Sequence, residues 1–491
     1  TYHIGTDSSA PEDYKLEFNG TAGRDDNENI WDDTAPTSTH FTVGTNNSTD
    51  TKNYVAYLFA DGDDAAAQIF GDGGDESIIK MGAYEGTGGA HVIDLGWEAQ
   101  WVILKRTNGA DNWSMMDVMR GMNTVESTRF FAQGANYEYP KSDFVFPHST
   151  GFQFGATNND GEANKSGGHD YIYIAIRRGP MKTPTDATEV FAMDYGSGSS
   201  TVPNWDSGFP VDFAFTRPIT TSHQWWTKTR LCGDGLLFLD AATDEQGSQT
   251  FFEDDSMTGW GTDEDSTYLS WMFRRAPGFM DVVCYNGTGS TPQTLAHNLG
   301  VEPELMLIKC RGRSEHWCVY HKGLNGGTSA EGYYLILNLD NDEADSSLPW
   351  DDTAPDESVF TVGNFDYVNK NNEPHVAYLF ASCPGVSSVG SYVSDGDAQD
   401  INCGFDAGAR FILIKRYDDD ASHSDWLLFD SVRGINPPSV NSGSDYYLRL
   451  NTDGDQSEAT RIEPIDIGFQ VDADDTYVNV DGGKYIYLAI A

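Results

Sequence analysis

Carboxylates are the side chains with the most obvious capacity for chemistry in this chain of 491 residues, which carries 76 Asp and Glu against 30 Lys and Arg. Two adjacent pairs, Asp32–Asp33 and Asp351–Asp352, stand in the same motif, WDDTAP. Paired carboxylates carry out glycoside hydrolysis, but Asp ahead of Pro also builds turns, because its side chain accepts hydrogen bonds from nearby amides. We interpret both pairs as turns. The sequence has no G-x-S-x-G, H-E-x-x-H or P-loop motif, so we predict that the protein is not an enzyme.

Acidic loops are the second feature with potential chemistry. Asp395 and Asp397 belong to one DGD loop, Asp453 and Asp455 to another, and similar runs occupy 61–64, 418–420 and 472–475. Carboxylate oxygens on turns are the ligands that Ca²⁺ prefers, although none of these loops has the EF-hand pattern. A structural Ca²⁺ at one of them is therefore one prediction, and solvated acidic loops are the alternative.

Three tryptophans, Trp205, Trp225 and Trp260, cluster in the region 186–278. Aromatic rings with one apolar face and one polar edge can stack on sugars, so we predict these three as candidate carbohydrate-binding residues. Local packing or a contact between subunits is the alternative. Four other tryptophans follow a hairpin loop at one regular position, which predicts a place in the core: Trp113, Trp226, Trp317 and Trp426.

The elements that must position these residues are repeated along the chain. WDDTAPTSTHFTVG from Trp31 returns as WDDTAPDESVFTVG from Trp350, and YVAYLFA (54–60) returns as HVAYLFA (375–381). A match of this length predicts a tandem repeat array. We number the repeats in chain order as 1 (1–60, partial, with its front half missing), 2 (78–180), 3 (186–278, divergent), 4 (279–384) and 5 (385–491). We expect the missing half of repeat 1 upstream of Thr1, with another chain as the alternative.

Each repeat reads as all-β. Short runs rich in Val, Ile, Tyr and Phe alternate with Asp, Asn, Gly and Ser clusters, which is typical of a β-sandwich of the jelly-roll or concanavalin kind. The closing strand YIYIAI (171–176) is apolar on both faces. Such a strand must be covered on both sides, so we expect each repeat to pack against another repeat.

Charge and cysteine content narrow the function classes. A net charge of −46 repels phosphate backbones and anionic lipid, so nucleic acid is a poor partner and membrane insertion is not expected. Six cysteines over this length are no disulfide scaffold. Cys310 and Cys318 could face each other across a hairpin, with free buried thiols as the alternative.

Taken together, the repeated motifs resemble the uncharacterised tandem repeat domain found in virion structural and tail-fibre proteins of tailed phages, especially marine ones. In that pattern an apolar strand ending in Lys-Arg precedes a Trp hairpin and then Asp-x-x-Arg-Gly. Repeat 4 departs from it, with Cys310 after Lys309 and HKG in place of Arg-Gly. The resemblance covers essentially the whole chain, most weakly at 186–270, and rests on HNLGVEPELMLIKCR (297–311), FILIKR with DWLLFDSVRGIN (411–436), WDDTAP with FTVG, HVAYLFA and YIYLAI (485–490).

The resemblance implies a β-sandwich building block of a virus particle, with no assigned catalytic residues. We predict a non-enzymatic virion protein, a tail fibre or other appendage, that forms a homo-oligomer, with a trimer as the guess because fibres are commonly trimeric. Its expected partners are other virion proteins and a host-surface glycan, and its expected location is the virion. A head decoration protein, a secreted cellular lectin or adhesin, and a phage polysaccharide depolymerase are the alternatives.

Overall fold

A computed structural model describes residues 1–47, 51–62, 69–135, 137–247, 255–289, 292–419, 423–435, 446–473 and 475–491. Strands hold 37% of the residues and helices 6%, which confirms the all-β prediction. The chain divides into two compact units, residues 1–181 and 182–491, and each is described by itself. In the described part of the chain, no helix has the length and apolar character needed to cross a membrane.

Repeat 1 contains little regular structure. Its elements are β1 (Tyr14–Lys15), β2 (Asp25–Asp26), α1 (Glu28–Trp31) and single 3₁₀ turns at Pro11–Asp13 and Thr45–Asn47. Residues 54–60 belong to no strand and are exposed throughout, although their copy in repeat 4 is a buried strand. The same residues differ in structure because a strand needs hydrogen-bonding neighbours, and repeat 1 lacks the strands that flank this segment elsewhere.

Repeat 2 is a two-sheet sandwich, as the sequence predicts. Its six-stranded sheet has the order β3-β11-β5-β6-β7-β8, and its three-stranded sheet the order β4-β10-β9. All neighbouring strands are antiparallel. The strands are β3 (Ile79–Glu85), β4 (His91–Asp94), β5 (Ala99–Arg106), β6 (Trp113–Asp117), β7 (Glu126–Phe131), β8 (Tyr139–Ser142), β9 (Val145–His148), β10 (Gly151–Phe154) and β11 (Asp170–Arg177), with a 3₁₀ turn at Val118–Arg120.

Repeat 3 has the same strand order despite its divergent sequence, with sheets β12-β18-β14-β15-β16 and β13-β17. Its closing strand again lies second from the edge, between the first strand and the long apolar one. The strands are β12 (Phe191–Tyr195), β13 (Trp205–Asp206), β14 (Phe213–Pro218), β15 (Trp226–Thr229), β16 (Leu237–Phe238), β17 (Gly259–Trp260) and β18 (Tyr268–Phe273), with 3₁₀ turns at Ala187–Glu189 and Arg230–Cys232.

Repeat 4 has sheets β19-β26-β21-β22-β23-β24 and β20-β25. Its strands are β19 (Met280–Asn286), β20 (Gln293–Ala296), β21 (Leu305–Cys310), β22 (Cys318–His321), β23 (Tyr333–Ile336), β24 (Ala344–Asp345), β25 (Val359–Val362) and β26 (Pro374–Phe380). Its helix is α2 (Asp366–Asn369), and its 3₁₀ turns are Leu324–Gly327 and Ala330–Gly332.

Repeat 5 has sheets β27-β35-β29-β30-β31-β32 and β28-β34-β33. Its strands are β27 (Ser387–Val393), β28 (Gln399–Asn402), β29 (Phe411–Arg416), β30 (Trp426–Asp430), β31 (Tyr446–Arg449), β32 (Ser457–Glu458), β33 (Ile462–Ile465), β34 (Gly468–Val471) and β35 (Lys484–Ile490).

The closing strands are covered on both faces, as their composition predicts. In β35, Tyr487 and Ala489 face the core between the two sheets of repeat 5, while Leu488 and Ile490 enter a separate core shared with repeats 3 and 4. Alternate residues of a strand point to opposite faces, so one strand serves both cores. In β11, Tyr173 likewise faces its own sandwich.

The WDDTAP motifs form turns, which confirms their interpretation. Asp32, Asp33, Asp351 and Asp352 all have positive φ, between 44° and 54°. Asp tolerates this left-handed conformation better than most residues because its short side chain bonds locally. Cys310 and Cys318 are free and buried, so the free-thiol alternative is the one found.

Candidate functional site: the seams between repeats

The three tryptophans predicted to bind carbohydrate lie in the interior. Trp205 and Trp260 stack on each other inside repeat 3, with ring centroids 5.1 Å apart, and both are at most 1% exposed. Trp225 is fully buried as well, in the core shared by repeats 3, 4 and 5. A ring without an open face offers a sugar no surface to stack on. A glycan could reach these residues only if the core opened.

Trp225, and not Trp226, occupies the regular tryptophan position of repeat 3, so the sequence alignment was wrong by one residue. In the register of each sheet, the regular tryptophan lies opposite the cation that stands one residue before the end of the apolar strand. Thr216 pairs with Trp226, which places Trp225 opposite Arg217. Trp226 is partly buried against the sandwich core of repeat 3 instead. Successive side chains point to opposite faces, so two adjacent tryptophans have different environments.

Each regular tryptophan crosses to another repeat. Its indole N–H donates to a backbone carbonyl at the end of a strand in that repeat, and the geometry is the same in four places. The bonds are Trp113 to Glu17 (3.0 Å), Trp225 to Arg449 (3.0 Å), Trp317 to Phe238 (2.8 Å) and Trp426 to Ile336 (3.1 Å).

A buried cation accompanies each of these tryptophans. It is the last residue but one of the apolar strand, it is fully buried, and it donates to a second carbonyl of the neighbouring repeat. The bonds are Lys105 to Thr21 (3.0 Å), Arg217 to Asp453 (3.1 Å), Lys309 to Ala242 (3.1 Å) and Lys415 to Asp340 (2.8 Å). Each cation also donates to a carbonyl of its own repeat, as Lys105 does to Asp111 at 2.9 Å.

A backbone hydrogen bond completes the arrangement. The carbonyl two residues beyond the cation accepts from an amide N–H of the neighbouring repeat. The pairs are Arg24 to Thr107 (2.6 Å), Glu245 to Arg311 (2.9 Å), Glu343 to Tyr417 (2.8 Å) and Gln456 to Ile219 (3.1 Å). We call this set of three bonds a seam: the donor repeat supplies the tryptophan and the cation, and the acceptor repeat supplies the two carbonyls and the amide.

The acceptor positions are spaced identically in all four seams. Residues 17, 21 and 24 act in repeat 1, 238, 242 and 245 in repeat 3, 336, 340 and 343 in repeat 4, and 449, 453 and 456 in repeat 5. The acceptor residues themselves differ in type, because they contribute main-chain groups, but each segment has an apolar residue and then Asn or Asp directly after its first acceptor. The acceptor side of the seam is therefore set by backbone geometry and is only partly visible in the sequence.

Burial dominates the electrostatics of the seams. It lowers the pKa of Lys105, Lys309 and Lys415 to about 8 in each case, and it lowers the pKa of Arg217 to about 10. The direct partners are neutral carbonyls rather than carboxylates, so they compensate the charge only in part. A buried cation that finds its partners in one geometry fixes the register of two repeats.

The seams close a cycle in unit 182–491. Repeat 4 donates to repeat 3, repeat 5 to repeat 4, and repeat 3 to repeat 5. The shared core is aromatic at its centre, where Phe273 lies 5.8 Å from Phe380 and Phe213 lies 4.2 Å from Tyr378, measured between ring centroids. Among the described residues of unit 1–181, one seam joins repeat 2, as donor, to repeat 1.

A second set of contacts supports the seams at the far end of the strand that carries or follows the regular tryptophan. His321 bonds the carbonyl of Tyr487 at 3.3 Å, and His3 bonds the carbonyl of Tyr173 at 3.0 Å, in both cases across two repeats. At the corresponding place in repeat 5, Asp430 accepts from the Trp271 indole at 3.1 Å. Burial lowers the pKa of His321 to about 3, so this imidazole stays neutral.

The predicted calcium ligands have other contacts. The Asp395 carboxylate accepts from the Asp397 amide at 3.1 Å, and the Asp453 carbonyl belongs to a seam. Among the described residues, no group of three or more His, Cys, Asp or Glu is arranged to hold a metal ion. The loops at 61–64, 418–420 and 472–475 lie partly outside the described residues. Calcium at Asp395, Asp397, Asp453 or Asp455 stays a prediction.

The buried cations were the functional residues that sequence reasoning missed. Their signal was present, because Phe411, Leu413 and Lys415 alternate along one strand and therefore share a face. A lysine that continues an apolar face into the interior needs polar partners there, and these can only come from another element.

Fold and seams together define a tandem array of β-sandwich repeats held in fixed register. The chain belongs to the family described as "Domain of unknown function (DUF7483)", whose sequence profile matches residues 1–180 and 274–491. The gap coincides with repeat 3, which nevertheless has the strand order and the seams of its neighbours. No curated protein matches the chain.

Proposed function

We propose that this chain is a non-enzymatic structural protein of a virus particle, a tail fibre or other appendage of a tailed phage. The observation that carries the proposal is the seam: the most deeply buried cations of the repeats bind carbonyls of neighbouring repeats and hold them in register. Such an arrangement suits a protein whose task is to keep a fixed shape under load. The sequence resemblance to virion and tail-fibre proteins supplies the viral setting.

The surface supports the same proposal. A net charge of −46 keeps a highly concentrated assembly soluble and repels packaged nucleic acid, so the expected partners are other virion proteins and further copies of this chain. A host-surface glycan remains a proposed partner, but through exposed residues and not through Trp205, Trp225 and Trp260.

The experiment is quantitative tryptic mass spectrometry of purified virus particles. We expect peptides of this chain to copurify with the major capsid protein, at tens of copies per particle for an appendage and hundreds for a head decoration. Particle-free medium from the same culture is the control. Peptides found only in that medium would contradict the proposal and indicate a secreted adhesin. Release of reducing ends from host capsule by the purified chain would contradict its non-enzymatic character.

A further inference from the structure

Repeat 2 carries the acceptor half of a seam without a described donor. In repeats 3, 4 and 5 the residue after the first seam acceptor donates its amide to the carbonyl of the regular tryptophan, as Leu450 does to Trp426 at 2.8 Å. In repeat 2 this bond runs from Ala132 to Trp113 at 3.0 Å. Phe131 therefore stands where Arg449 stands in repeat 5. By the same spacing, the Ala135 carbonyl corresponds to the seam carbonyl that accepts from the cation. The Glu138 amide corresponds to the seam amide that donates the backbone bond. Ala135 and Glu138 are exposed, and among the described residues of unit 1–181 no tryptophan or lysine of repeat 1 is bonded to them.

Repeat 1 carries a closing strand that lies outside any sheet. Tyr57, Leu58 and Phe59 are 82%, 73% and 63% exposed. Their copies in repeat 4, Tyr378 to Phe380, are at most 2% exposed, because β26 lies between β19 and β21. An exposed apolar segment that belongs to no sheet can pair with strands that are offered to it. The other repeats show which strands flank it: a first strand on one side and the apolar strand ending in a cation on the other.

The outer face of repeat 2 is also covered incompletely. Trp101, Met115 and Ile174 are only partly buried. Their counterparts in repeat 5 are Phe411, Leu428 and Leu488, which are 1%, 0% and 4% exposed beneath repeats 3 and 4. The half-covered face adjoins the existing seam to repeat 1, so it continues an established interface.

We propose that unit 1–181 binds one and a half further repeats of this family, arranged as residues 186–318 are arranged in unit 182–491. The half repeat supplies the two strands that flank residues 54–60. The whole repeat inserts its tryptophan and cation at Phe131 and Ala135 and covers Trp101 and Ile174. The result is a second closed cycle of three repeats, in which repeats 1 and 2 take the places of repeats 4 and 5.

A second copy of this chain does not fit as the occupant. Its four described seam donors, Lys105, Arg217, Lys309 and Lys415, are each bonded within their own chain. The strands that could flank residues 54–60 are likewise occupied by their own closing strands. The occupant therefore has to be a repeat with a free donor.

Hydrogen exchange on the unmodified chain is the first test. Residues 54–60 should exchange at least about 100-fold faster than residues 375–381, their sequence copy in the same molecule. Equal, slow exchange in a monomer of 54.0 kDa would overturn the proposal. A dimer that protects residues 54–60 as concentration rises would also overturn it, because the occupant would then be a second copy.

An extended chain is the second test. A duplicate of residues 186–318 is fused directly before Thr1. Thr1 corresponds to Val319, so the new junction reproduces the step from Cys318 to Val319. We expect exchange at residues 54–60 to slow by about 100-fold and exchange at residues 131–135 to slow as well. The matched control carries Arg217→Glu and Trp225→Ala in the duplicate only, and it should lose protection at residues 131–135 while keeping it at 54–60. Fast exchange at residues 54–60 in both extended chains overturns the proposal, and so does protection at residues 131–135 that ignores the two substitutions.

Discussion

At the scale of single residues, the seams depend on side chains that combine a long apolar stem with a polar end. Lys415 lies on the same face as Leu413 and buries its stem with it, while its ammonium group finds carbonyls at Asp340 and Ser424. Those carbonyls belong to different repeats, so the bond is made only when the repeats meet. The cost of burying the charge is visible as the lowered pKa of the lysine.

We expect the stability contributed by Lys415 to rise with pH between 8 and 10. Below pH 8 the lysine is protonated in both the folded and the unfolded chain, so its contribution is constant. Between the folded pKa of about 8 and the ordinary lysine pKa of 10.5, the unfolded chain holds a proton that the folded chain has released, so the free energy of unfolding rises. Urea unfolding of the wild type and of Lys415→Met, compared at pH 7.5 and 10, should show the wild type gaining about 1–2 kcal/mol on the variant. The exposed Lys182→Met variant is the control, and parallel curves for Lys415→Met would contradict the assignment.

Trp225→Phe should reduce the free energy of unfolding by about 1–3 kcal/mol, because it removes the indole N–H that donates to the carbonyls of Arg449 and Thr452 in a buried site. Trp226→Phe is the matched control on the neighbouring residue. Its side chain is only partly buried and faces the other core, so the loss should be smaller, below about 1 kcal/mol. Equal losses for the two variants, measured by denaturant titration, would mean that the seam bond contributes nothing.

At the scale of elements, the closing strand is the one that every repeat is built around. It lies between two strands of its own sheet, and its two faces belong to different cores. Its own repeat cannot bury both faces of such a strand, because half of the apolar surface stays exposed to water until another repeat packs against it. The exposed copy at residues 54–60 shows the same sequence without its neighbours.

Leu488→Ala and Ile174→Ala test this element at the same position of two closing strands. Leu488 is 4% exposed, so its truncation leaves a cavity in the shared core and should cost about 2–4 kcal/mol. Ile174 is only partly buried, so its loss should be nearer to about 1 kcal/mol. Thermal or urea unfolding gives both values. A larger loss of unfolding free energy for Ile174→Ala than for Leu488→Ala would contradict the difference in burial between the two side chains.

At the scale of the whole molecule, the chain holds two compact units with different degrees of closure. In unit 182–491 each of three repeats is both donor and acceptor, so no repeat can leave without breaking two seams. The described part of unit 1–181 has one seam, in which repeat 2 is the donor and repeat 1 the acceptor. Closed cycles distribute a local loss over the whole unit, which makes unfolding cooperative.

Calorimetry of three tryptophan variants should separate the two units. Trp317→Phe and Trp426→Phe break different seams of the same cycle, so both should lower the same transition, by about 2–4 °C for each kcal/mol lost. Trp113→Phe acts in unit 1–181 and should lower the other transition. A single transition that all three variants shift alike would show that the two units unfold together.

Much of the fold could be predicted from the sequence, because it depends on local patterns. The repeated WDDTAP turns, the alternation of apolar and polar residues and the two-faced closing strands each depend on nearby residues, and repeat 3 keeps the same strand order although its sequence has diverged. The tryptophan position in repeat 3 was missed by one residue. Trp225 and Trp226 are adjacent, and their sequence does not show which of the two faces the neighbouring repeat. The carbohydrate prediction for Trp205, Trp225 and Trp260 assumed rings in exposed loops, and all three rings are buried because of how the sheets pack, which the sequence does not show.

The sequence by itself determined the all-β class and the repeats, because side-chain type and spacing are written in it. It also contains the alternation that places the lysine donors of the seams on an apolar face, although their role was not predicted. Only the tertiary structure decided which carbonyls those donors bind. The acceptors at residues such as Glu17, Ala242 and Asp453 are carbonyls, and every residue has one, so nothing in the side chains marks them. Which carbonyl meets which lysine is set by how whole sheets pack, and that depends on residues hundreds of positions apart.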